Sequence, residues 1–409
     1  MKPFHWLAVV LCAAAVAGHL AAAEPARVDV ILWFDTEDYL SLADDDACKR
    51  LATMLSERHI RATFKLVGEK ARVLERRGRK DVIKALKQHD IGYHANFHSV
   101  HPAPSEYLAD CGLLDGMAEF KRREGGGAAD VRRIFGRDTL VCYGQPGSSW
   151  GSQAIAALKS IGIAPSGVPC YVDEGEHIGL DHKPFWYAGA LNVYHMGPNY
   201  TRMELHDPAA VQPAKEKVSE IVDRLRQDGG GLVSIFYHPC EWIHLEFWDG
   251  VNFRRGANPP PDQWKAPPQR TRTETDAAFE RFGQYIDHIR SLPGVRFVTA
   301  GELPSIYADA VRKGGAPEKD LAQIASRLAA EGTSNVDFMV IGNRSYSVAD
   351  QFELLTTALR ARDAGSAIQF PLPTKGLLGP DGAPPEQNER THIDWPAFRM
   401  ALADVANYI

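Results

Sequence analysis

The segment Val28-Asp-Val-Ile-Leu-Trp-Phe34 is apolar at every position except Asp29, and it stops abruptly at the acidic run Asp35-Thr-Glu-Asp38. A continuous, β-branched apolar run of this length is the signature of a strand covered on both faces, which means a parallel sheet flanked by helices. Carboxylates set directly at its end commit the C-terminal edge of that sheet to a polar site. Further strands are expected over Ala62-Thr-Phe-Lys-Leu-Val67, 140–143, Leu232-Val-Ser-Ile-Phe-Tyr237 and 295–299. Between them, apolar residues at helical spacing predict helices over 43–58, 82–88, 153–160, 214–227 and 277–291. Such alternation predicts an α/β fold, and over this length closure into a distorted (β/α) barrel. In barrels the chemistry sits at the C-terminal ends of the strands. Three polar clusters fall at such ends: the acids after Phe34, a histidine-rich run after Gly92, and His238 after Tyr237.

Composition and the chain ends narrow the class. With 44% hydrophobic and 24% charged residues among 409, the chain can bury a sizeable core, and disordered or fibrous classes are excluded. A net charge of −6 gives no basic footprint, so nucleic acid is not an expected partner. Met1-Lys2, an apolar run over 6–17 and the small residues Ala21-Ala-Ala23 predict a secretory signal peptide over 1–23, cleaved after Ala23. The apolar run is shorter than the roughly 20 residues a spanning helix needs, so no membrane span is expected in the mature chain. The protein is therefore expected to be exported, to the periplasm or beyond. Leu11 precedes Cys12 where a lipoprotein leader needs a small residue, so lipidation is not expected. The remaining Cys48, Cys111, Cys142, Cys170 and Cys240 are odd in number and widely spaced, and most are expected to be buried free thiols.

Two stretches break the rhythm. Glu124-Gly-Gly-Gly-Ala128 is expected to be a flexible loop. The Pro-rich segment 256–268 follows the His238 strand, and two placements are open: a wall or lid over the site, or a surface insertion. Residues 316–409 are predicted to form a small, mostly helical appendage, with helical stretches flanking Val336-Asp-Phe-Met-Val340 and a helix N-cap at Asn343.

The three clusters suit one another chemically. Carboxylates packed together at a strand end repel, an arrangement tolerated when a cation sits among them. In Tyr93-His-Ala-Asn-Phe-His-Ser-Val-His-Pro102, His94 and His98 are spaced to share the face of one helical turn and to grip a metal ion, with His98 and His101 as a competing pair. His238, in Ser234-Ile-Phe-Tyr-His-Pro-Cys-Glu-Trp242, stands where an imidazole can transfer protons near neutral pH.

The order of acids, His pair, Tyr143-Gly-Gln-Pro-Gly-Ser-Ser-Trp150 and late His238-Pro239 resembles the polysaccharide deacetylase family, also called the NodB-homology or carbohydrate esterase family 4 domain. The resemblance covers residues 27–305 and looks greatest to the branch whose first motif is Asp-x-Asp or Asp-x-Glu. It implies a distorted (β/α) barrel of the NodB-homology type. By the same resemblance Asp35 is the catalytic base, Glu37 a metal-binding carboxylate with Asp38 as its rival, His94 and His98 the metal-binding histidines, and His238 the general acid. The implied cofactor is one divalent metal ion, zinc first, and the implied substrate an acetylated glycan of the cell wall or extracellular space, losing acetyl groups, N-acetyl first. Many members carry Arg before the Pro of the third motif; Gln145 stands there in this chain, which puts the orienting salt bridge to the base in doubt. For the fourth motif Asp173, Asp181 and Trp186 are candidates. Two other readings stay open: a hydrolase of a non-sugar amide on the same barrel, and a non-catalytic glycan-binding protein with a degraded site.

Overall fold

The computed structural model describes residues 26–173, 183–194, 197–331, 336–378, 381 and 393–408; the expected signal peptide and Asp181 lie outside them. Its centre is a curled sheet that forms a half-barrel. In chain order its strands are β1 (Val28–Thr36), β2 (Thr63–Leu66), β3 (Asp90–Tyr93), β4 (Cys142–Gly144), β5 (Cys170–Asp173), β6 (Phe185–Tyr187), β7 (Ala190–Tyr194), β8 (Gly231–Tyr237) and β9 (Val295–Val298). All neighbours pair in parallel except β6 with β7. The α/β barrel expected from the alternation is thus present in distorted form. The distortion begins at β1, where β8 runs along one edge while β9 takes Val28–Ile31 and β2 takes Trp33–Thr36 of the other.

Helices α1 (Leu42–Glu57), α2 (Gly68–Arg76), α3 (Lys80–Leu86), α4 (Pro104–Leu108), α5 (Leu113–Phe135), α6 (Ser152–Ala157), α7 (Val211–Gln227), α8 (Trp248–Asn252) and α9 (Arg272–Ser291) connect the strands. Side-chain alternation sorts strand residues into two layers. Val30, Leu32 and Phe34 of β1, Phe64 of β2, Tyr93 of β3 and Tyr237 of β8 join the large core beneath the helices. Ile31 and Trp33, with Cys142, Cys170, Val172 and Leu232, fill the concave face. Asp35 is next in the concave series, level with Lys65, and by the same parity Gly92 leads to His94 and Phe236 to His238.

The triple glycine is not a loop. It lies inside α5, because a Cβ on Gly127 would come within 2.5 Å of the Tyr93 hydroxyl and 2.6 Å of Asn96 Oδ1, while one on Gly68 would meet Gly127 Cα at 2.9 Å. Gly in mid-helix costs about 0.5–1 kcal/mol against Ala; here it lets α5 approach α2 and the strand end that carries the histidines. The five cysteines among the described residues are free, and all but Cys111 are buried.

Beyond β9 come α10 (Leu303–Ile306), α11 (Ala310–Gly314), α12 (Glu318–Glu331), the hairpin β10 (Met339–Ile341) and β11 (Arg344–Tyr346), α13 (Val348–Asp363) and α14 (Trp395–Tyr408). The region is mostly helical as expected, but the cap of α13 is Ser347, which receives the Asp350 N–H, and Asn343 lies in the hairpin turn instead. The hairpin docks on β6: the Trp186 N–H donates to Ser345 Oγ at 3.1 Å, and the Phe338 ring meets Phe185 and Tyr187 edge-on. Among the described residues no helix is long and apolar enough to cross a membrane.

Candidate active site

Glu37, His94 and His98 are buried and converge at the C-terminal end of the sheet, each offering one ligand atom, all within 4.8 Å of one another. Glu37 Oε2 lies 3.4 Å from His94 Nε2 and 2.8 Å from His98 Nε2. The His94 Nδ1–H donates to the Gly144 carbonyl at 2.9 Å. A carbonyl can only accept, so this bond fixes the tautomer and leaves Nε2 with a free lone pair, buried and without a hydrogen-bond partner. Burial, the largest influence, keeps His94 below its ordinary pKa and therefore neutral. Burial alone would raise the Glu37 carboxyl, but His98, His238 and His94 hold it well below the carboxylate range. A buried carboxylate facing an unpartnered imidazole nitrogen and a second imidazole is the donor set of a divalent-metal site, two nitrogens and one oxygen.

The helical-turn reading of the histidine pair is corrected by the backbone. After β3 the chain turns sharply, with φ of 68° at Ala95 and 59° at His98, so the two rings meet across a loop. Left-handed conformations of this kind cost about 1–2 kcal/mol at non-Gly residues. They are held by Gly68 N–H to Ala95 O and Glu69 N–H to Asn96 O, both 2.9 Å, and by Asn96 Nδ2 to Arg123 O at 3.0 Å.

Asp35 sits beside this donor set, fully buried, with Lys65 Nζ 2.6 Å from its Oδ1. Lys65 reaches it through space left by glycines, for a Cβ on Gly144 would come within 2.5 Å of Nζ. On the opposite side His238 Nε2 lies 3.7 Å from Asp35 Oδ2 and 3.9 Å from Glu37 Oε2. Glu241 Oε1 accepts from the His238 backbone N–H at 2.9 Å and pairs with its Nδ1 at 3.0 Å, while Glu241 Oε2 is bound by Arg202. For His238 the largest influence, burial, works against the proton, yet the carboxylates of Glu37, Glu241 and Asp35 outweigh it and raise the pKa to about 10. The site thus sets a carboxylate paired with a lysine opposite a histidine whose proton is favoured by the surrounding carboxylates.

No family model matches the sequence, and no curated protein matches it. Solved structures do. One assigned as a polysaccharide deacetylase from Mycobacterium smegmatis shares 13% identity over 69% of this chain and 93% of its own, with a TM-score of 0.42. A family 4 acetyl xylan esterase from Clostridium thermocellum, in complex with a cobalt ion, shares 15% over 68% and 91%, with a TM-score of 0.32. A CE4 family pseudoenzyme from Bacillus anthracis shares 12% over 67% and 65%, also with a TM-score of 0.32. These neighbours bear the name of the family that the motifs resemble; at such scores they add nothing to what the sheet and the site themselves show.

Asp35, Glu37, His94, His98 and His238 are therefore brought together. Asp38 is not: its Oδ1 accepts from the Leu40 and Ser41 N–H groups, its Oδ2 faces His244 Nδ1 at 3.2 Å, and it turns away from the His pair. His101 pairs instead with Glu106 at 2.8 Å. Gln145 is bound to Gly147 O and to the Tyr171 hydroxyl, and the cation beside the base is Lys65. Trp186 gives its Nε1–H to Tyr307 O, beside the appendage. Sequence reasoning missed Lys65, although a Lys as the one charged residue of a strand is a signal, and it missed Glu241, three residues from His238 at helical spacing.

Proposed function

We propose that this protein is an exported, divalent-metal-dependent hydrolase that removes acetyl groups, N-acetyl first, from a cell-wall or extracellular glycan. The observation that carries the proposal is the meeting of Glu37, His94 and His98 within 4.8 Å of one another, flanked by Asp35 and by His238. A divalent cation held by these three residues, zinc by its preference for nitrogen and carboxylate donors, supplies Lewis-acid polarisation of a substrate carbonyl and of a water molecule. Asp35, paired with Lys65 through Oδ1, accepts the proton of the attacking water at Oδ2. His238, protonated and oriented by Glu241, delivers a proton to the departing nitrogen. An amine leaves poorly unless protonated, so a histidine 3.7 Å from Asp35 and paired with Glu241 suits an amide more than an ester.

The test is release of acetate from a panel of N- and O-acetylated glycans by protein stripped of metal and then reloaded. Turnover that disappears on stripping and returns with zinc or another divalent ion is the expected result. Release of ammonia or of a different acid would move the reading to another amide, and one bound ion without turnover on any acetylated glycan would make the protein a binding module.

A further inference from the structure

Three consecutive residues between the His238 strand and the Pro-rich stretch 256–268 each touch a different part of the site, and the Pro-rich stretch packs behind them. The Phe247 ring stands edge-on to His238, with centroids 4.8 Å apart. The buried Trp248 donates its Nε1–H to Glu37 Oε1 at 3.1 Å and lies 6.0 Å from the His98 ring. Asp249 Oδ2 accepts from Ser99 Oγ at 3.4 Å, and Ser99 Oγ is 2.7 Å from His98 Nδ1. Because a carboxylate only accepts, Ser99 spends its hydroxyl proton on Asp249 and must receive one from His98 Nδ1–H. Nε2 is then the nitrogen turned to Glu37, 2.8 Å from its Oε2, and the one that would be offered to a cation.

These contacts are braced from outside. Trp248 packs against Tyr39, Phe253 and Trp264 with ring centroids 4.8, 5.7 and 6.5 Å away. Asn252 ties α8 to the Pro-rich loop by donating to Lys265 O at 3.0 Å and accepting from Lys265 N–H at 2.7 Å. Asn258 in turn bonds both backbone groups of His101, in the loop that carries the His pair, at 3.3 Å each.

We propose that Trp248 and Asp249 are positioning residues of the metal centre, through which the segment 245–268 sets how the ion is held. Trp248 occupies one oxygen of Glu37 and so restricts that carboxylate to ligation through Oε2. Asp249, acting through Ser99, fixes His98 as an Nε2 ligand. Together they keep the protein's share at three donor atoms and leave coordination positions for water and substrate. This rests on the proposed metal site, and its test separates the two. The measurements are the zinc dissociation constant, by competition with a chromogenic chelator, and the visible absorption of the cobalt-substituted protein, for wild type, Trp248→Phe and Ser99→Ala. Trp248→Phe keeps one ring in the aromatic cluster and removes the N–H donor together with part of the indole; Ser99→Ala leaves that cluster untouched and so controls for loss of packing. The expected result is one tight site in wild type, about 10–100-fold weaker binding in each variant, and a weaker cobalt absorption in Trp248→Phe as Glu37 becomes free to bind through both oxygens. Native affinity and an unchanged cobalt spectrum in both variants would overturn the proposal while leaving the metal site standing. Absence of a tight site in wild type would overturn both.

Discussion

Two acidic clusters arise from nearly the same stretch of sequence and end in opposite conditions. Asp44 and Asp45 close around Lys70, whose Nζ lies 2.5 Å from Asp44 Oδ2 and 2.6 Å from Asp45 Oδ1 and also donates to the Asp38 backbone carbonyl at 2.6 Å. Arg77 adds a second cation 2.9 Å from Asp45. Asp35 and Glu37, on the concave face, meet one ammonium, that of Lys65, and otherwise imidazoles. The first group carries its neutralising charge permanently. The second depends on protons on its histidines or on a cation from outside, and that difference, not the number of acids, separates a structural knot from a site. Strand parity makes the choice: Asp35 follows Ile31 and Trp33 on the inner face, while Asp38 lies past the strand end and caps the turn into α1.

The largest expected effect tests the permanence of the structural knot. Lys70→Met would leave buried carboxylates without their shared cation, and removing one partner from a buried ion pair costs about 3–5 kcal/mol. The urea midpoint should fall accordingly, and added zinc should not restore it. Restoration by a divalent ion would show that the two clusters are not different in kind.

Next in size is the effect on chemistry in the other cluster. Asp35→Asn keeps the shape beside Lys65 but cannot take up a proton, so turnover should drop by about 10²–10⁴-fold with metal content unchanged. His238→Ala should lower hydrolysis of an acetamide far more than that of an activated nitrophenyl ester, whose leaving group needs no proton. Equal losses on both substrates, with fold and metal intact, would remove His238 from the role of acid.

How much of this was legible in the sequence follows from the range of the signals. The runs behind β1 and β8 and the spacing behind α1, α7 and α9 are local periodicities, and those elements lie where they were expected. Asp35, Glu37, His94 and His238 were legible because each lies at or just past a strand end, and His98 because it falls in the same histidine-rich run as His94. The partners that tune them were not, because they depend on register and on loops: Lys65 reaches Asp35 through the β1–β2 pairing, and Trp248 reaches Glu37 from the segment 245–268. The triple glycine misled for the opposite reason. Its local preference for a loop is overridden by packing against Tyr93 and Asn96 that no window of sequence contains.

The smallest expected effect is a pH trend, and it sharpens the comparison because it asks whether the concave cluster is neutralised by a titratable group. In metal-free protein His238 has its pKa raised to about 10, against about 6.5 for an unfolded histidine. A raised imidazole pKa contributes stability that is fully present below about 6.5 and is lost as the pH climbs through about 10. In the presence of a chelator, the urea midpoint of wild type should therefore exceed that of His238→Gln most at mildly acidic pH, and the gap should close on the alkaline side. Loading with zinc should shift the closing to lower pH, since an ion on Glu37 competes for the charge that favours the His238 proton. Lys70 offers no such window, because its neighbouring carboxylates push its pKa above the ordinary lysine value despite burial. Wild type and His238→Gln curves that run parallel across the whole range would mean that the His238 imidazole is not a cation balancing Asp35 and Glu37, and that the concave cluster draws its neutrality from Lys65 and the histidines on the other side of Glu37.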